Sequence, residues 1–175
     1  MSPFLKITLC NSVLAIAGCV STPPVIVRSQ VPRESEIGVV MFRDCTIPGQ
    51  EDCGGSGLTA GSIFARVLSE KPGLHAVPLS RPAAASAPLD DSTAVTFAKE
   101  KGYKYVLNGE VEDYYRVAPM TFRTERAGVS VRLLNTTNGD VVAFFSQRTH
   151  SQTNLTTPDA LLERMAAHVR DSIIP

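Results

Sequence analysis

Apolar and polar positions change period along this chain, and the changes mark its elements. Ile37-Gly38-Val39-Val40-Met41-Phe42 is a short continuous apolar run, the pattern of a buried strand. A Gly-rich stretch follows. Ile63, Phe64, Val67 and Leu68 then share one helical face, with Thr59 or Ser62 as the cap and Pro72-Gly73 as the stop. Leu74 to Leu79 reads as a second strand. Residues 80–90, rich in Ala, Pro and Ser, read as a loop. A second helix starts at Asp91 or Ser92, runs through Lys101 and stops at Gly102.

Over residues 103–117 the period becomes two. Tyr105, Leu107, Val111, Tyr115 and Val117 fall on one face, and Asn108, Glu110, Glu112, Tyr114 and Arg116 on the other. Residues 129–135 and 141–149 give two further strands around Asn138-Gly139, a strong hairpin signal. Arg132 and Arg148 are expected on the polar face with Glu110 and Glu112, in cross-strand pairs contributing a few tenths of a kcal/mol each. In the last helix Thr157 caps, Pro158 takes the first position and Asp159 suits the positive end. Leu161, Leu162, Met165, Ala166 and Val169 make a stripe that needs a sheet beneath it. The order β-α-β-α-β-β-β-α implies an α/β fold: a single sandwich domain whose mixed sheet of about five strands is covered by about three helices.

Residues 1–19, MSPFLKITLCNSVLAIAGC, have a different character. Lys6 gives a cationic front, residues 7–18 are mostly apolar, and Ala17-Gly18 lead into Cys19. A secretory signal has this anatomy. The apolar part is shorter than the about 20 residues that span a bilayer. The segment resembles the lipobox of bacterial lipoproteins. That resemblance implies that residues 1–18 are removed as a signal peptide and that Cys19 becomes a lipidated, palmitate-bearing N-terminus. An ordinary signal peptide with a chance cysteine is the plainer alternative. Val20 and Ser21 follow, with no Asp to hold such a lipoprotein in the inner membrane. The implied address is the outer membrane, facing the periplasm. Residues 19–36 carry three prolines and scattered polar groups, and read as a lipidated tether ahead of a periplasmic domain over 37–175.

Charge is balanced at 17 basic and 17 acidic residues, so nucleic acid is not an expected partner. Trp is absent and aromatics are few, which disfavours a sugar-stacking cleft. Of four cysteines, Cys10 leaves with the signal and Cys19 is the lipid site. Cys45 and Cys53 remain, in CTIPGQEDC. An oxidising compartment favours a disulfide between them, and Pro48-Gly49 favours the turn that joins them. So short a loop stabilises by roughly 2–3 kcal/mol on chain-entropy grounds. A redox pair normally reads C-x-x-C, and a metal site wants further Cys or His nearby.

Other chemistry is sparse. His75, His150 and His168 lie far apart and show no ligand spacing, so surface or capping roles are expected and no metal. Gly54 to Ser62 runs from a strand into a helix, a context for phosphate binding, but it matches neither G-x-x-x-x-G-K-[ST] nor G-x-S-x-G. Glu110 and Glu112 share a face while alternation puts Asp113 on the other, the pattern of a solvated sheet rather than a carboxylate pair for acid–base work. No catalytic residue and no cofactor are expected.

The stretch AKEKGYKYVLNGEVEDYY followed by GVSVRLLNTTNGDVVAFFSQRTHS carries a family pattern: Y-V-L-x-G-x-V, then V-x-V-R-L-x(5)-G-x-V-V. It resembles the small periplasmic α/β domain shared by the curli-secretion lipoprotein, the Pel polysaccharide-export lipoprotein, a lipoprotein activator of peptidoglycan synthesis and the N-terminal domain of the Tol-system propeller protein. The resemblance implies a non-enzymatic role: a homo-oligomeric ring, or docking on an envelope protein partner in secretion, polysaccharide export or wall synthesis. The alternative class is an envelope hydrolase acting on a glycan or peptide, which predicts a cleft with convergent titratable groups.

Overall fold

The computed structural model describes residues 23–117, 123–151 and 156–174. The expected signal peptide at 1–18 and the lipidation site Cys19 lie outside the described residues. In chain order the elements are β1 (Ile26–Val27), β2 (Ser35–Val40), α1 (Ser56–Ser69), β3 (Leu74–Leu79), α2 (Asp91–Glu100), β4 (Tyr105–Tyr115), β5 (Arg126–Asn135), β6 (Val141–His150) and α3 (Pro158–Ile173). One mixed sheet has the strand order β1-β6-β5-β4-β2-β3. β2 runs parallel to both β3 and β4, and α1 and α2 are the crossovers those parallel pairs require. β4, β5 and β6 form an antiparallel meander.

α1 and α3 lie on one face of the sheet. Their apolar stripes meet Leu107, Val111, Val131, Leu133 and Phe145 in the main core. Phe42 and Phe64 pack there with ring centroids 5.1 Å apart. A smaller core forms on the opposite face, where Ala98 of α2 meets Val40, Leu79, Val106 and Leu134. The apolar run at Val39-Val40 is thus explained: Val39 faces one core and Val40 the other. α2 covers only that end of its face.

The caps follow local chemistry. Thr157 Oγ1 accepts from Ala160 N at 3.2 Å and opens α3. Asp90 opens α2, accepting from Ser92 Oγ at 2.5 Å and Thr93 N at 2.8 Å. These bonds, with the Ser92 hydroxyl first, hold the Asp90 carboxyl down at about 2.

The structure corrects several expectations. The sheet has six strands, the added one being β1, which pairs antiparallel with β6 through Ile26↔Phe144 and Val27↔Ala143. Packing therefore begins before Ile37: Val31 is fully buried, and its N–H reaches Ile173 O at 2.9 Å. Two residues are too short a run for periodicity to reveal. α1 begins at Ser56, upstream of Thr59 and Ser62. The hairpin at Asn138-Gly139 is longer than a two-residue turn: Gly139 takes φ 77° and donates to Asn135 O at 2.8 Å. In β4 a register shift falls between Val111 and Asp113. The extra residue reverses the alternation after it. Tyr114, expected on the polar face, is buried in the main core, while Tyr115 is left half-exposed.

Candidate functional site

The sheet face opposite α1 and α3, beyond the reach of α2, is the most chemically organised surface of the molecule. Register places Glu110 opposite Ser130, Arg132 opposite Phe144, and Gly128 opposite Arg148. The carboxylates there are paired with cations. Arg43 meets Glu110 at 2.7 Å, Arg148 meets Glu112 at 2.7 Å, and Arg132 meets Asp91 of α2 at 2.9 Å. Arg126 meets Asp113 at 3.3 Å. Arg148 pairs with one of the two glutamates expected on its face, whereas Arg132 turns to the helix and Glu110 takes a partner from beyond β2. Such exposed pairs stabilise little, between 0 and about 1 kcal/mol each. They do define a mosaic of alternating charge, in which the Arg148 side chain stays 67% exposed. Asp113 stands opposite Gly128 because of the bulge, not on the far face that simple alternation gave it.

Sequence periodicity gave no hint of Arg43, Asp44 or Arg81, yet these residues organise one end of that surface. The Asp44 carboxylate accepts from Gly57 N at 2.6 Å and from Gly55 N at 3.1 Å. It caps α1 from outside the helix and occupies the anion position at its N-terminus. The Gly-rich stretch thus meets its own chain's carboxylate where a phosphate would bind. Arg81 donates to Met41 O at 3.1 Å and to Ala87 O at 2.5 Å, tying the Ala/Pro-rich loop to the end of β2. Burial, then the nearby Arg43 charge, lowers the Arg81 pKa. Capping across eleven or thirteen residues leaves no local sequence signal.

A second polar cluster joins the loop around Pro48 to the end of β4. Cys45 and Cys53 are joined by a disulfide, with Cα atoms 4.9 Å apart. Cys45 N donates to Ser56 Oγ at 3.1 Å. Gln50 donates to Asp113 Oδ1 at 3.2 Å and to Tyr114 O, and Asp52 accepts from Arg116 N at 3.0 Å. The Tyr114 hydroxyl donates to Asp159 Oδ1 at 2.5 Å, and Arg116 donates to that hydroxyl at 2.7 Å and to Asp159 Oδ2 at 2.8 Å. Burial and the Asp159 carboxylate push the Tyr114 pKa up to about 12. A folded-state value above the ordinary 10 means the neutral phenol supports the fold, and that support is lost as pH rises through 10 to 12. Tyrosinate absorbance should therefore show one late ionisation step, near pH 12. Tyr114→Phe should remove that late step and leave the others in place; a late step that survives the change would refute the assignment.

The histidines stay apart. His75 is exposed, 3.7 Å from Glu34. His150 is exposed at the end of β6. His168 sits 3.1 Å from Pro23 O, with its ring against the edge of Phe145. Among the described residues no group of three or more His, Cys, Asp or Glu is placed to hold a metal ion. A surface groove of 770 Å³ lies between α2 and the β5–β6 turn, lined by Val95, Lys99, Thr136 and Asn138 among others.

This geometry defines a class: a mixed α/β sandwich with two helices on one face and a charge-patterned, half-open opposite face. The sequence matches no family model and no curated protein. Solved structures do match. A dodecamer of a PelC point variant from Paraburkholderia phytofirmans superposes with a TM-score of 0.61 at 20% identity, over 87% of this chain and 100% of that chain. A PelC dodecamer from the same organism in another space group gives 0.57 at 20% identity, over 83% and 96%. Lipoprotein GNA1162 from Neisseria meningitidis gives 0.48 at 18% identity, over 79% and 97%. The expected likeness to the Pel lipoprotein is met at the level of fold. No described helix is long and apolar enough to cross a membrane.

Proposed function

We propose that this chain is an outer-membrane-anchored periplasmic lipoprotein. It acts without catalysis, as the assembly module of an envelope machine for secretion, polysaccharide export or wall synthesis. The observation that carries the reading is the likeness to PelC across the whole of that chain, in structures described as dodecamers. A fold does not transmit a function by itself, so the local chemistry must agree. The open sheet face carries paired charges, an arrangement that supports a docking role. Its occupant is a second copy of the same chain. Alternating charge fixes register and direction between copies more than it adds affinity. A head-to-tail contact repeated with rotation closes into a ring.

Cys19 supplies the anchor. Acyl chains contribute about 0.8 kcal/mol per buried methylene, and more than one chain is needed for lasting attachment. Cys19→Ser should leave the domain folded, with an unchanged circular dichroism spectrum, and remove it from the outer-membrane fraction. Unchanged outer-membrane fractionation of that variant would sink the anchor.

A further inference from the structure

The stretch expected as a tether is mostly part of the domain. Pro23 O lies 3.1 Å from His168 Nε2. Arg28 N donates to Val142 O at 2.8 Å, and Val31 N donates to Ile173 O at 2.9 Å. β1 pairs with β6. From Cys19 to Pro23, the first of these contacts, there are only about four residues, which reach at most about 14 Å when fully extended. A free tether over residues 19–36 would reach about 60 Å. A lipid on Cys19 therefore holds one edge of the sheet close to the bilayer and leaves no room for free tumbling.

We infer that the β1 edge rests directly on the phospholipid surface that holds the acyl chains. This rests on the proposed acylation of Cys19. The exposed chemistry of that edge fits the occupant. Ile26 is a large apolar side chain left 55% exposed, and Pro24 and Arg28 beside it are also exposed. An apolar side chain enters the boundary between headgroups and acyl chains, and a neighbouring guanidinium binds phosphate and follows anionic lipid. β3, the opposite edge, is five strand spacings away, or about 24 Å. Register sets Ile26 beside Phe144, which stands opposite Arg132, so the seating uses the β1 margin of the charge-patterned face and leaves its β4 side, farther from the lipid, to neighbouring copies.

The test is paramagnetic broadening of backbone amides. The mature acylated protein is placed in phosphatidylethanolamine–phosphatidylglycerol nanodiscs that carry a paramagnetic headgroup lipid. Amides of Val25 to Ser29 should broaden severalfold more than those of Leu74 to Leu79. Equal broadening at both edges, or more at β3, would overturn the seating. In a second arm, Cys19 of the non-acylated chain is coupled to a maleimide-bearing phospholipid. Cys45 and Cys53 are in a disulfide, so Cys19 is the reactive thiol of the mature chain. The β1 pattern in this arm, with no acyl group on Cys19 from cells, would defeat the anchor while leaving the seating in place. Ile26→Asp with Arg28→Glu should weaken the β1 broadening and leave the fold intact; undiminished broadening would remove those side chains from the contact.

Discussion

Gly57→Ala should cost about 3 kcal/mol or more, a sizeable share of a domain's usual stability. A Cβ on Gly57 would lie 2.0 Å from Phe42 O, 2.7 Å from Phe42 C and 2.9 Å from Arg43 C. All three are backbone atoms and none can swing aside. Phe42 N also donates to Gly57 O at 3.2 Å, so the helix and the segment after β2 are held together where the methyl would enter. Relief would require α1 to move off the sheet. That would break the Phe42–Phe64 contact and the Asp44 bond to Gly57 N. Urea unfolding should show a large fall in midpoint with little change in slope. Gly54→Ala is the control: its added Cβ meets only Glu51 O at 3.7 Å, so stability should move by no more than about 0.5 kcal/mol. Equal effects at the two positions would mean that close approach is not what Gly57 provides.

Opening the Cys45–Cys53 bridge is the second large effect. The bridge spans eight positions in sequence, and the chain-entropy relation assigns a loop of that size about 2–3 kcal/mol. Cys45→Ser with Cys53→Ser should therefore lower the melting temperature by about 5–10 °C. Reductant should act on the parent protein in the same direction and leave the double variant unmoved. The loss should be felt first where the loop meets β4, through Gln50, Asp52 and Arg116. Amide exchange should quicken there before the main core responds. A reductant that moves both proteins equally would place the effect elsewhere.

Legibility in the sequence follows the length and regularity of each signal. The start and buried face of α3 are readable because cap, proline and apolar stripe agree across many residues, and the helix starts at Pro158 behind the Thr157 cap. β3 is readable to the residue because turn signals bound it. The class of the fold comes from element order alone. The misplaced features depend on contacts between distant residues. Asp44 caps a helix whose first turn lies more than ten positions away. β1 is two residues long and is held by β6, more than a hundred positions later. The bulge after Val111 inverts Tyr114 and Tyr115, and strict alternation carries no mark of an inserted residue. Of the surface, the pairing of Arg148 with a glutamate is legible from shared strand faces. The partners of Arg132 and Glu110 are not, because they come from α2 and from the segment beyond β2.

Native mass spectrometry of the acylated chain, extracted in mild detergent, bears most directly on whether this domain builds an assembly by contact with its own copies. A single closed multimer is expected, and it should dissociate to smaller species when Arg148→Glu reverses one charge of the open face. A protein that remains one chain at every concentration, with or without that substitution, would contradict self-assembly through this face.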